Sequence, residues 1–268
     1  MSKESLHPWE GYIPPFQLWG NLYFVGTYHA STHIIDTGKG LIMLDSGYQH
    51  SLYLVLENMR KLGLDPMDIK YIVHTHGHID HCGATRALVE MTGAKTFLGE
   101  PDKDYVNGVL PLSCASALKL DLEEFEADVL VNDGDKITLG NTTLTAIASP
   151  GHTPGAMSYI FETQEGDRKL IAGIHGGAGI NSLRAKYLNH YNLPFTYRDD
   201  YFATMTKLQD IPVDIYLGNH VGQNQTPEKY QQLIAGNKDA FVDPTAWAKF
   251  AQKCIGDLQA MIEEENAV

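Results

Sequence analysis

Four histidines and one aspartate fall within eight residues, in the run His74-Thr75-His76-Gly77-His78-Ile79-Asp80-His81. Imidazole nitrogen and carboxylate oxygen together make a ligand set suited to zinc, which takes nitrogen at about 2.0 Å in tetrahedral sites. Histidines two apart converge only from an extended or looping backbone, because on a helix they diverge. His76 and His78 are therefore expected on a loop as one set of ligands. The adjacent Asp80 and His81 point away from that pair and invite a second metal a few ångströms off. Two zinc ions roughly 3.5 to 4 Å apart lower the pKa of a shared water to about 7, which makes hydroxide available for attack on a carbonyl. His74 lies on the preceding strand and is read as core or as a group behind the ligands. The competing reading is a surface loop that is merely rich in histidine.

Such a loop needs a strand to deliver it and a helix to anchor it. IKYIVHTH reads as a buried strand, and ATRALVEMTGAK behind the cluster as a helix ending at Gly93. Upstream, LYFVGTY, THIIDT and LIMLDSG form three β-rich runs between Leu22 and Asp45, a strand meander. Leu52, Val55, Leu56, Met59 and Leu62 then recur at near-helical spacing, closed by Gly63 and Pro66. No firm element is assigned between Gly99 and Asp128. From Val129 to Ile174 the runs VLVNDGD, KITLG, TTLTAIAS, AMSYIFET and KLIAGI return to strand character and are expected to form a second sheet. A helix from about Asp199 to Gln209 precedes the strand VDIYLG, which leads to His220. Trp247, Phe250, Cys254, Leu258 and Met261 mark a C-terminal helix. Two strand-rich halves, each with helices after it, predict an α/β (α+β) fold with two sheets face to face and helices outside, in a single domain over residues 1–268.

The composition narrows the partners. Asp and Glu number 33 against 20 Lys and Arg, a formal net charge of −13, and no basic cluster stands out. That field repels a phosphate backbone, so a nucleic acid is disfavoured and a small-molecule substrate is expected. MSKESLHPWEGYIPPF carries no apolar stretch between a basic start and a small-residue cleavage site, and no later run approaches a membrane span. A cytoplasmic protein without a membrane partner is the expectation; the oligomeric state stays open. Cys82, Cys114 and Cys254 are odd in number and form no C-x-x-C pair, so they are read as small buried hydrophobes.

His76-x-His78-x-Asp80-His81 resembles the signature of the metallo-β-lactamase superfamily. NLYFVGT, LIMLDSG, DIKYIVHTHGHIDHCG, DGDKITLG and SPGHTPG extend the likeness over roughly Trp9 to His220, and are similar to the lactamase subclass that uses no cysteine ligand. The resemblance implies a four-layer αββα sandwich with two Zn(2+) per chain. It implies one zinc on His76, His78 and His152, and a second on Asp80, His81 and His220. Asp80 would also orient the attacking hydroxide. The implied activity is hydrolysis of a β-lactam-like amide or another cyclic or ester substrate.

One departure bears on that activity. Glyoxalase II, the lactonases and the RNA-processing nucleases of the superfamily resemble one another in a bridging aspartate after a strand, as in T-G-D. This chain has LIAGIHGGAGI there, with Ile174 or His175 near that place. His175 is accordingly a candidate contact for metal or substrate. The same loop offers mainly glycine backbone where the lactamase subclass places hydroxyls for a substrate carboxylate. Asn181 and Tyr191 are candidate donors to a developing oxyanion, and Asp45 is either an acceptor behind a ligand imidazole or a turn residue. No G-x-S-x-G elbow is present, which removes a serine hydrolase. The alternatives are an iron-dependent oxidoreductase of the same fold acting on sulfur or oxygen species, a non-β-lactam hydrolase such as a lactonase or thioesterase, and a non-catalytic binding protein.

Overall fold

A computed structural model describes residues 7–267. The first six residues of the stretch inspected for a leader lie outside the described residues. The first sheet has seven strands in sequential order: β1 (Phe16–Trp19), β2 (Leu22–Phe24), β3 (His33–Asp36), β4 (Leu41–Leu44), β5 (Ile69–Val73), β6 (Lys95–Gly99) and β7 (Val129–Val131). The first three pairings are antiparallel and the next three parallel. The second sheet runs β12-β11-β10-β9-β8, from β8 (Lys136–Leu139), β9 (Thr142–Ala148), β10 (Met157–Glu165), β11 (Arg168–Ile174) and β12 (Ile215–Leu217). Only β11 and β12 pair parallel within it.

Alternation along the strands builds the layers. In β4, Ile42 and Leu44 face the second sheet, while Leu41 and Met43 face outward onto Val55 and Met59 of helix α1 (Leu52–Lys61) and Leu88 of α2 (Thr85–Thr92). Between the sheets, Phe24, Ile35, Leu44 and Val73 meet Leu144, Tyr159, Phe161 and Ile174, all buried. Each large apolar side chain removed from water here contributes about 1.5–3 kcal/mol. The short α3 (Ala185–Tyr191) leads into α4 (Thr196–Leu208), and α5 (Thr226–Ile234) follows β12. The outer face of the second sheet is closed by α4 and α6 (Ala246–Asn266), where Trp247 is fully buried and donates its indole N–H to the Leu208 carbonyl at 2.7 Å. The result is the four-layer αββα order expected of the fold.

The expected strands and long helices are present, with two reassignments. VLV of Val129–Val131 leaves the second half and joins the first sheet as the parallel partner of β6, with Phe97 opposite Val129. A three-residue apolar strand carries no local mark of which edge it will complete, and the β6 edge was open. The stretch read as irregular contains two one-turn helices, Lys103–Val106 and Ala115–Leu118. Among the described residues no helix is long and apolar enough to cross a membrane.

Candidate metal centre

Strand β5 stops at Val73, and the next eight residues carry the cluster across the C-terminal end of the sheet. Ile79–Cys82 makes a single helical turn, and α2 follows until Gly93 closes it in the left-handed conformation at φ 67°. This loop aims three rings inward. His78 Nδ1 lies 3.1 Å from His76 Nε2 and 3.0 Å from His152 Nε2. His76, His78 and His152 thus present one ring nitrogen each to a common point, and His76, Asp80 and His81 form an adjoining group. His220 closes the second group from β12: its Nε2 is 3.5 Å from Asp80 Oδ2, which is itself 3.3 Å from His81 Nε2. The structure therefore brings together all six side chains singled out in the sequence.

Four of the five rings are held from behind through their other nitrogen. His152 donates its Nδ1–H to the Gly179 carbonyl at 2.6 Å, and His220 donates its Nδ1–H to the His29 carbonyl at 3.0 Å. His81 donates its Nδ1–H to Asp45 Oδ2 at 2.8 Å. The hydroxyl of Thr75 donates to the same Asp45 oxygen at 2.8 Å and accepts from His76 Nδ1 at 3.1 Å, while the Thr75 N–H donates to Asp45 Oδ1 at 2.7 Å. One buried carboxylate thereby fixes the tautomers of His76 and His81 together. Asp45 sits in the left-handed region at φ 57°, which Asp tolerates better than most residues. It is both the imidazole acceptor and a turn residue.

These anchors leave lone pairs facing lone pairs. Burial, followed by the neighbouring imidazoles, holds His76 and His78 well below the ordinary histidine range, and burial brings His152 to about 4. Neutral rings with convergent unprotonated nitrogens at about 3 Å repel unless a cation sits among them. In the adjoining group burial also opposes charge on His81, yet Asp80 and Asp45 outweigh it and lift that imidazole to about 10. Burial likewise opposes ionisation of Asp80, but His81 and its neighbours draw the carboxyl far below its usual value. His81 Nε2 is buried without a hydrogen-bond partner. The donor set, the neutral state of His76, His78 and His152, and the orphaned nitrogen of His81 all fit a metal site.

A residue that the sequence reading passed over ties the two loops. Asp102, fully buried just beyond β6, accepts from the Gly77 N–H at 2.8 Å and the Thr153 hydroxyl at 2.7 Å through one oxygen, and from the Gly155 N–H at 2.6 Å through the other. It clamps the His76–His78 turn to the turn that carries His152. The glycine loop after β11 also has a steric reason, since a Cβ on Gly177 would stand 2.5 Å from Cδ2 of His152.

The other candidates separate. A cavity of about 600 Å³ opens over the cluster and is lined by Asn181 as well as by the six gathered residues other than His81. Tyr191 is not in its wall; it packs behind Tyr187, one turn earlier on α3, at 4.7 Å between ring centroids, and Tyr187 takes the wall position. His175 is turned to the opposite side of the sheet. Ile174 before it points into the inter-sheet core, so the alternation directs His175 outward, where it stacks on Trp247 at 4.0 Å with neither ring nitrogen hydrogen-bonded. Cys82 and Cys254 are buried free thiols, and Cys114, half-buried, borders the cavity.

A search for relatives places this geometry. The profile of the metallo-beta-lactamase superfamily matches residues 25–220. The chain belongs to that superfamily. BJP-1 of Bradyrhizobium japonicum, a subclass B3 metallo-beta-lactamase, shares 30% identity over 98% of each chain with a TM-score of 0.89. A probable polyketide biosynthesis zinc-dependent hydrolase of Bacillus subtilis, PksB, is 29% identical over 35% of each protein. The mitochondrial persulfide dioxygenase of Mus musculus is 32% identical over 49% of this chain and 44% of its own length. The chain spans less than half the length of these curated relatives. This superfamily member is thus matched end to end in structure, and in part by the curated sequences.

Proposed function

We propose that this metal-dependent hydrolase works with two zinc ions, one on His76, His78 and His152 and one on Asp80, His81 and His220, to open a β-lactam-like amide or another cyclic or ester bond of a small molecule. The observation that carries the reading is the convergence of unprotonated ring nitrogens of His76, His78 and His152 about 3 Å apart, with the His76 and His152 rings anchored from behind so that their free lone pairs face the centre. When bound, the ions supply an acidified water and a Lewis acid for the carbonyl. The protein does the rest. Asp80, with one oxygen near His81 and His220, has the other free to orient the attacking water. Asn181 in the cavity wall is a candidate donor to a developing oxyanion.

Iron-dependent sulfur chemistry draws on the likeness to the persulfide dioxygenase. Against it stands the end of β11, where Ile174 enters the core, His175 turns to Trp247, and two glycines follow, so that this stretch supplies no carboxylate. Two measurements decide. Elemental analysis after neutral purification is expected to give two zinc per chain. Turnover is expected among nitrocefin, lactones and thioesters, with loss of both zinc and turnover in His78→Ala. Bound iron with persulfide-dependent oxygen uptake would replace the hydrolytic reading, and an unchanged metal content in His78→Ala would remove that ring from the centre.

A further inference from the structure

The metal cavity does not end at the histidines. At its far side it is walled by Phe250, Lys253 and Asp257 of α6, and it shares Gln223, Phe250 and Lys253 with a second cavity of about 390 Å³. That second cavity, bounded by the turn before α5 and the first turns of α6, gathers Lys229, Lys249 and Lys253. Three ammonium groups in one groove are conspicuous in a chain whose formal net charge is −13. Lys229 is the telling member. It is only 8% exposed and makes no ion pair among the described residues; its ammonium lies 5.8 Å from the centre of the Phe241 ring. Its stem is buried while its ammonium lines the groove with no hydrogen bond or ion pair to the protein among the described residues, so its three donors are available to a ligand there.

The opposing charges are few. Asp243, in the same wall, keeps one oxygen on the Thr245 N–H and hydroxyl at 2.9 and 2.6 Å. Asp257 pairs with Lys253 one helical turn away. Three cations against two carboxylates leave the groove positive. Gln223 adds a fixed amide: its oxygen accepts from the Asn219 and His220 N–H groups at 3.0 and 3.3 Å, which leaves its NH2 end for a ligand. The residue that shapes the His220 turn therefore also borders the groove.

We infer that this groove is an oxyanion subsite contiguous with the metal cavity, and that the substrate carries a carboxylate or phosphate arm which lies along Lys253 into Lys229 and Lys249 while its scissile carbonyl sits over the histidines. The inference names the substrate class of the hydrolase reading and rests on it, but the groove is testable by itself. The probes are pyrophosphate and succinate, titrated against the metal-loaded enzyme by calorimetry in low salt. Lys229→Met keeps the buried aliphatic stem, and Lys249→Gln changes an exposed side chain; the double variant is compared with wild type at equal metal content and checked for an unchanged melting temperature. At least tenfold weaker binding of one probe in the double variant is expected, and which probe responds tells phosphate from carboxylate. Any binding to the metals is common to both proteins and cancels. A second readout compares thioesters with a neutral and a succinylated acyl arm: wild type is expected to prefer the anionic one through KM, and the variant to lose the preference. Equal probe affinities in wild type and variant overturn the groove whatever is hydrolysed. Weakened probe binding with no turnover of either thioester keeps the groove and removes the thioester form of the hydrolase reading.

Discussion

Asp45→Asn isolates the buried carboxylate that aligns the metal-facing nitrogens. Asparagine has the same shape and shares the tolerance for the left-handed backbone that φ 57° requires, so the turn itself survives. What changes is the pattern of donors. One oxygen of Asp45 takes the His81 Nδ1–H and the Thr75 hydroxyl, the other the Thr75 N–H. If the amide oxygen faces His81, the new NH2 confronts the Thr75 N–H. If the amide is flipped, His81 must accept at Nδ1 and carry its proton on Nε2, where the lone pair is needed. Either way one charge-assisted hydrogen bond is lost, about 1.5–3 kcal/mol. Carried onto the metal held by His81, that is roughly 10- to 100-fold in affinity, the range found for partners of ligand imidazoles. With metal in excess, a 100-fold weaker site removes up to about 2.7 kcal/mol of ligand-linked stability, which lowers the melting temperature by roughly 5–10 °C in a protein near this size. Competition with a chromophoric chelator measures the affinity of each metal position, and scanning calorimetry measures the shift with and without metal. A variant that holds both metals within twofold of wild type would refute the claim that Asp45 sets the ring tautomers.

Two further outcomes follow from the same geometry. Burial pushes Asp102 up to about 6, above its unfolded value near 3.8 despite three donors, so the native state takes up this proton first as pH falls. In chelator-treated protein, the stability of wild type relative to Asp102→Asn should accordingly rise by up to about 3 kcal/mol between pH 7 and 4, measured by urea unfolding at each pH; a difference that does not change with pH sinks the assignment. His175→Phe should keep full metal content and turnover, because burial already holds that imidazole neutral, with a pKa of about 3, and stacks it on Trp247 away from the cavity. Loss of zinc in that variant would put His175 back at the centre.

The gathered six were legible because metal binding restricts residue type severely, and His and Asp at strand ends are seldom explained otherwise. Asp102 was not, because two of its three partners are backbone N–H groups, which every residue but proline carries and which leave no mark in a sequence. The groove was illegible for a related reason. Lys229, Lys249 and Lys253 sit on two helices with no basic run to mark them, and only the packing of α5 and α6 joins them. Strand β7 was visible as a strand and assigned to the wrong sheet, since its pattern fixes a local conformation but not a partner.

A rule about strand ends would have gone further than the histidine count. Asp45 follows β4, the His76 cluster follows β5, Asp102 follows β6 and His220 follows β12, and each of those strands has a parallel neighbour. Parallel strands align their C-terminal ends on one edge, and the loops leaving that edge converge in space even when the sequence separates them by fifty residues or more. His152 joins from the turn between β9 and β10, at the edge where the two sheets meet. His175 also follows such a strand, yet it fails to join, and the reason is the two-residue period: Ile174 is spent on the core, so the next side chain must face away. Position after a parallel strand selects the candidates, and the parity of the last core residue decides which of them reaches the site.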